Sequence, residues 1–283
     1  MTSPRRAASL HIVRALTDTD RALISYLVDH RVLTTHHIVD LLYTTRRGPS
    51  TRWAQRRLAT LRSYGILDRF RPRTRTGSAP HHWILDSLGA EIATYQNGLP
   101  KTEAAALVHA GRAVAHSPTL AHTTGVIGFF TPLARTTATR PGCRLEAWWS
   151  QRRCATTWTS LGVQPDGYGT WTEPDRKLTF LLEWDTGTQP AHRVAAKLTR
   201  YPPLVPADAD LVLIRVHSHA RETAVQAAIA ALDRPTAPAA TAVFLPGHDP
   251  SGRMWLPTTP AGQPQPNRRR LADLAFVTAP TGP

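Results

Sequence analysis

Three acids and a lysine in the second half of the chain have the types and spacing of a phosphodiester-cleaving site. Pro165-Asp166 lies in an extended segment, Val163 to Gly169, and the apolar run Leu178 to Leu182 ends in Glu183-Trp184-Asp185. Residues i and i+2 of a strand leave it on one face, so Glu183 and Asp185 share a side. Carboxylates gathered from neighbouring strand ends hold Mg2+, which orients a water and offsets charge on the scissile phosphate; a lysine neutralises it further. Lys197 is the lysine at hand. It sits on a predicted helix, Ala191–Tyr201, with Arg193, Lys197 and Tyr201 at i, i+4 and i+8.

The elements that must position these groups alternate. Strands are predicted at Arg144–Trp149, Lys177–Asp185 and Asp210–His217, with helices at Ala191–Tyr201 and Arg221–Leu232, and shorter strands at Thr241–Leu245 and around Met254-Trp255-Leu256. Glu173-Pro174-Asp175-Arg176 is a polar turn before the central strand. A helix from Thr119 to about Arg135 precedes them, although Gly125, Gly128 and Pro132 interrupt its pattern, and His122 on it reads as an ordinary surface or core histidine. Trp148, Trp149, Trp158, Trp171 and Trp184 fall in the same region and read as core and rim aromatics of a sheet, with stacking on unpaired bases as the functional alternative.

The first hundred residues carry a different chemistry. Thr17-Asp18-Thr19-Asp20 supplies caps and first-turn acids for a helix striped by Leu23, Ile24, Leu27 and Val28 and ending at His30. Leu33-Thr34-Thr35 is a turn and cap before a second short helix, with Ile38, Leu41 and Leu42, that ends at Tyr43. A basic linker, Thr44–Pro49, leads to Ser50 as N-cap of a third helix, Thr51–Tyr64, whose Ala54, Leu58 and Leu61 form one apolar stripe. Arg52, Gln55, Arg56 and Arg62 fall on another face. Gly65 ends it. An extended run from Ile66 follows, with Arg69, Arg71, Arg73 and Arg75 alternating onto one side, then a turn and a return strand, His81–Leu85. Between Tyr43 and Arg75 ten arginines stand against one acid. A globular core has no use for that balance; a polyanion does.

Helix, short helix, basic helix and hairpin, in that order, make a winged helix-turn-helix, whose third helix enters the major groove and whose wing reaches the backbone or minor groove. Arg52, Gln55 and Arg56 are the expected base-edge residues, since Arg pairs with guanine and Gln with adenine. Arg46, Arg47, Arg62, Arg71, Arg73 and Arg75 are expected on phosphates, which position the protein without specifying sequence. The alternative is a winged-helix module for protein partners with a solvated basic face. Leu88–Tyr95 closes the domain as a helix ending at Asn97-Gly98, and an alanine-rich stretch, Glu103–Ala115, is either a helix or an ordered linker.

Composition agrees with a nucleic-acid partner. The 283 residues carry a formal charge of +14, enough to favour a polyanion over neutral partners, with an anionic membrane surface second. Charge is concentrated: residues 1–100 hold fifteen arginines against seven acids. Arginine supplies thirty-one of the thirty-four cations, which suits phosphate recognition by a planar fork and equally suits GC-rich coding. Two cysteines, Cys143 and Cys154, exclude a disulfide framework and a cysteine-based zinc finger. No apolar run is long enough to span a bilayer and no secretory h-region is present, so a cytoplasmic protein without membrane contact is expected. There is no GxxxxGK[ST] phosphate loop for nucleotide hydrolysis and no Gly-x-Ser-x-Gly elbow. His217-Ser218-His219 has the outline of the paired histidines that present a metal in rolling-circle nickases, but Ser218 stands where a bulky apolar residue belongs, and a surface turn is the better reading.

The series Pro165-Asp166, Glu183-x-Asp185 and Lys197-x-x-x-Tyr201 resembles the PD-(D/E)xK nuclease fold. Joined to Thr19-Asp20-Arg21, Leu33-Thr34-Thr35, Arg56-Arg57-Leu58 and Leu61 upstream, it looks like the replication-relaxation family of plasmid and mobile-element proteins, over roughly Leu16 to Tyr201. The resemblance implies an α+β or α/β protein, with an N-terminal winged helix-turn-helix followed by a restriction-endonuclease-like mixed-sheet domain. The domain plan is a flexible arm at 1–15, the winged helix at 16–98, a linker or helix at 99–118, the nuclease-like domain at 119–256 and a proline-rich basic tail at 257–283, loose beyond about Pro257. Asp166 and Glu183 carry over as metal ligands for Mg2+; Asp185 and Lys197 complete the catalytic set. Asp185 stands where the motif has lysine, so Lys197 would serve from the following helix. Two functions stay open: a DNA binder that nicks with Mg2+ during replication, relaxation or transfer of a mobile element, and a non-enzymatic regulator or accessory DNA binder on a degenerate nuclease fold. Double-stranded DNA is the expected partner, with a homodimer and replication or transfer proteins as further candidates.

Overall fold

Thr17 and Asp20 start the first helix by capping each other: the Asp20 N–H donates to Thr17 Oγ1 at 3.2 Å and the Thr17 N–H to Asp20 Oδ2 at 2.8 Å. Helix α1 (Asp18–His30) buries Leu23, Ile24 and Leu27 along one stripe. In the computed structural model, the described residues are 11–73, 79–202, 204–205, 207–233, 236–245, 247–258 and 267–276. They divide into two units, residues 1–127 and 128–283.

In the first unit, β1 (Leu33–Thr34) leads into α2 (Thr35–Leu42) through a second reciprocal cap, between Thr34 and His37. A two-rung hairpin follows, β2 (Thr44–Thr45) against β3 (Gly48–Pro49), and then α3 (Thr51–Ser63). β4 (Leu67–Phe70) and β5 (His82–Leu85) pair antiparallel, β1 adds on the far side of β5, and the order is β1-β5-β4. Helices α4 (Ser87–Gln96) and α5 (Glu103–Ala115) complete it. Leu23, Leu27, Ile38, Ala54, Leu58, Leu61, Ile66 and Trp83 form its core. Two expectations change here. Leu33-Thr34 is a paired strand rather than a bare turn, because Leu33 lies opposite Trp83. The basic linker is a hairpin, which Gly48 permits by taking φ +106.

Helix α6 (Leu120–Thr139) crosses the boundary between the units. The second unit is a six-stranded mixed sheet in the order β11-β10-β9-β8-β7-β6. Its strands are β6 (Arg144–Ser150), β7 (Gly167–Glu173), β8 (Arg176–Trp184), β9 (Leu211–Val216), β10 (Ala239–Val243) and β11 (Leu256–Pro257). β6, β7 and β8 run antiparallel to one another, β8, β9 and β10 run parallel, and β11 closes the edge antiparallel. Parallel strands covered on both faces need continuous apolar runs, and Leu178, Phe180–Leu182 and Leu211–Ile214 are all buried. A short helix, α7 (Gln151–Thr157), follows β6, and on one face of the sheet α8 (Ala191–Lys197) and α9 (His219–Ala230) pack Val194, Val225 and Ile229 against Leu181, Val212 and Ile214. Phe129 and Phe130 of α6 join Phe180, Trp148 and Trp255 in a ring cluster with centroids 5.1 to 6.0 Å apart.

Gly169 exists to let those rings in. A Cβ there would lie 2.6 Å from Phe180 and 2.8 Å from Phe130, both buried. Gly169→Ala is therefore expected to destabilise the second unit by about 1–3 kcal/mol through overpacking, read as a lower urea midpoint with β6–β8 amides exchanging faster.

The tail departs from expectation. Residues 267–276 are docked rather than loose: Leu271 and Leu274 are fully buried, Trp255 and Arg269 pair as an isolated bridge, and Ala272–Phe276 forms a 3₁₀ turn. Arg268 and Arg270 bind the buried carboxylates of Glu222 and Glu173, at 2.5 and 2.7 Å, so this run holds the fold together. Among the described residues no helix is long and apolar enough to cross a membrane.

Candidate functional site

The sheet register brings the second unit's acids together. Gly167 pairs with Leu182, and the Asp166 N–H donates to the Leu182 carbonyl at 2.9 Å, which places Asp166 beside Glu183 near the end of β8. Both are buried, at 5% and 2% exposure. Lys197, on the last turn of α8, donates to Glu183 Oε2 at 2.5 Å. Helix α8 is shorter than predicted and passes into a 3₁₀ turn, Leu198–Arg200, but Tyr201 still reaches Glu183 Oε1 with its hydroxyl. Burial, then the charge of Asp166, pushes the Glu183 carboxyl up to about 7, against the pull of Lys197 and Tyr201. Burial alone would lower Lys197, yet the charge and hydrogen bond of Glu183 carry it above its usual value. Tyr201 is raised by burial and by Glu183.

Asp185 lies just past the strand and takes other partners. Arg221 on α9 grips it through Nε at 2.6 Å and Nη2 at 3.1 Å, and the Gly187 N–H donates to it at 3.0 Å. Asp166 is likewise engaged: Gln151 Nε2 donates to one oxygen at 2.8 Å and the Trp184 N–H to the other at 2.8 Å. Gln151 and Arg221 gave no sequence signal as site residues; each follows a serine N-cap, Ser150 and Ser218, and only the fold aims them at a carboxylate. Ser218 caps α9 by accepting from the Arg221 N–H, and the two histidines beside it are exposed, His217 before the helix and His219 as its first residue.

A resident Mg2+ needs carboxylate oxygens turned toward it. Here both oxygens of Asp166 and both of Glu183 accept from protein donors, and Asp185 is clamped by a guanidinium. Among the described residues, no group of three or more His, Cys, Asp or Glu side chains is placed to hold a metal ion. The cluster in this arrangement does not fit the cation.

The first unit presents a cationic face. Arg46 and Arg47 lie at the tip of the β2–β3 hairpin, and Arg52, Gln55 and Arg56 lie along α3; all are exposed. Among the described residues no acid pairs with Arg46, Arg47, Arg52 or Arg56. Ser50 precedes α3 as expected, but its side chain makes no cap hydrogen bond. Arg62 stands 3.8 Å from Asp68, half exposed, and is partly neutralised there. The alternating arginines do not form one ladder. Arg69 is the only one of the four within β4, with its guanidinium 5.6 Å from the Trp83 ring centre; Arg71 bonds His81 Nε2 at 3.1 Å, Arg73 is exposed beyond the strand, and Arg75 lies outside the described residues. Arg57, which follows Arg56, turns inward instead and binds the fully buried Asp20 through Nε at 2.9 Å and Nη2 at 2.5 Å.

No curated protein and no solved structure matches the chain. The family described as replication-relaxation matches residues 24–210, from within α1 to the residue before β9. That span holds the cationic face, all three acids and Lys197, and by it the chain belongs to the replication-relaxation family.

Proposed function

We propose that this protein binds double-stranded DNA in the replication or relaxation of a plasmid or other mobile element, and that the first unit is a winged helix-turn-helix. The order α1, α2, α3 and then the β4–β5 hairpin, with β1 paired to β5, supports that fold. The observation that carries the function is the exposed cations Arg46, Arg47, Arg52 and Arg56 on α3 and the hairpin before it, which pair with no acid among the described residues. α3 lies in the major groove, where Arg52, Gln55 and Arg56 meet base edges, while Arg46, Arg47, Arg71 and Arg73 sit on phosphates. The second unit is a nuclease-like scaffold: a mixed sheet with Asp166 and Glu183 at neighbouring strand ends and Lys197 on the next helix supports the PD-(D/E)xK reading. Its charged groups are satisfied among themselves, which favours binding without cleavage.

Arg52→Ala and Arg56→Ala are each expected to cost about 1–3 kcal/mol of site-specific binding, measured by fluorescence anisotropy on a duplex selected by the intact protein. Equal affinity in both variants removes α3 from the interface. Mg2+-dependent nicking at Asp166 and Glu183 is the competing reading, favoured by the closeness of that pair to Lys197. Supercoiled plasmid incubated with Mg2+ or Mn2+ separates the two. Binding without open circles is expected here; open circles that need metal and vanish in Asp166→Ala/Glu183→Ala establish the nickase.

A further inference from the structure

Trp53 stands on the first turn of α3 with 60% of its surface exposed, between Arg52 and the Gln55–Arg56 pair. It is not a stray core residue. Ala54, Leu58 and Leu61 form the buried stripe of α3, and Trp53 lies off it among the cations. Among the described residues its ring partner is Tyr43, edge-on at 5.4 Å and 65°, and Tyr43 is itself only 4% exposed, so the indole rests on a fixed support. A large ring held this way loses little conformational freedom when it is covered.

The surroundings narrow what can cover it. An apolar protein surface laid over Trp53 would desolvate Arg52 and Arg56 without partners, at high cost. A duplex satisfies both demands, because its phosphates and guanine edges take the guanidiniums. The major groove also offers one apolar feature, the C5-methyl group of thymine. We propose that Trp53 packs its indole on a thymine methyl within the site that Arg52, Gln55 and Arg56 contact. Trp53 thereby adds a preference for A·T pairs that the arginines alone cannot supply. This inference rests on the DNA-binding reading.

The test removes the methyl and leaves everything else. The full-length protein is titrated at one fixed salt concentration with duplex poly(dA-dC)·poly(dG-dT) and with duplex poly(dA-dC)·poly(dG-dU), which keep guanine for the arginines and differ only in the C5-methyl. The wild type is expected to favour the thymine polymer about fourfold, the value of burying one methyl-sized group. Trp53→Ala binds both equally, at the level of the uracil polymer, and Trp53→Phe keeps part of the preference. An unchanged circular dichroism spectrum excludes a folding defect as the cause. Ordinary affinity with no discrimination by the wild type, or an undiminished preference in a folded Trp53→Ala, overturns the assignment while DNA binding stands. Binding to neither polymer overturns both.

Discussion

Arg57→Leu is expected to lower the stability of the first unit by about 3–5 kcal/mol, because it strands a buried charge. Asp20 is 0% exposed and takes two bonds from Arg57, joining the start of α1 to the inner face of α3. Burial raises the Asp20 carboxyl, but the hydrogen bonds of Arg57 and Thr17 outweigh it and leave it below the usual 3.8. A depressed carboxyl stabilises the fold at and above neutral pH and loses that contribution as pH falls through its folded value. The variant should thus lose amide protection across α1–α3 in hydrogen exchange while the β6–β11 sheet keeps its own. Protection of α1 and α3 equal to the wild type would show that the pair contributes nothing.

Acidification should weaken the same unit through His37. Burial, then the charges of His82, His36 and His30, pushes His37 down from 6.5 to about 3. Its Nδ1 accepts the Thr34 N–H at 3.2 Å, so that atom must stay unprotonated for the α2 cap to form. The unfolded chain takes up a proton near 6.5 and the folded one refuses it until about 3. The stabilising contribution is therefore full above pH 6.5 and is lost as pH falls. Between pH 7 and pH 5 the loss is about 2 kcal/mol. It is read from exchange of the α1–α3 amides after correction for intrinsic rates. His37→Gln retains an acceptor for the Thr34 N–H without titrating, and should flatten much of that dependence. A slope identical to the wild type would clear His37 of the role.

Sequence made legible what is local. Helix α1 runs from Asp18 to His30 as predicted, because the Thr17–Asp20 cap and the leucine stripe act within a few residues. The Glu173–Arg176 turn and the apolar run of β8 were legible for the same reason. Lys197 and Tyr201 share a period of four, and both meet Glu183. What stayed hidden depends on distant partners. Arg57 and Asp20 are separated by 37 positions, Arg221 and Asp185 by 36, and Arg270 and Glu173 by 97, and no spacing rule links them. In sequence Arg268 and Arg270 are only part of a basic tail, a phosphate tether or a solvated run, since the buried carboxylates that hold them lie far upstream. Asp185 shares a face with Glu183 by alternation, yet Arg221 draws it into a separate pair.

The salt dependence of binding to a labelled duplex shows whether the first unit holds DNA, because phosphate contacts release counterions in proportion to their number. Log K is expected to fall linearly with log salt, and removal of Arg46 and Arg47 together to reduce the slope by about 2. Removing Arg193 and Arg200, exposed cations of the second unit, should leave the slope unchanged. A slope that ignores Arg46 and Arg47, or an affinity that ignores salt, would contradict a DNA interface on the first unit.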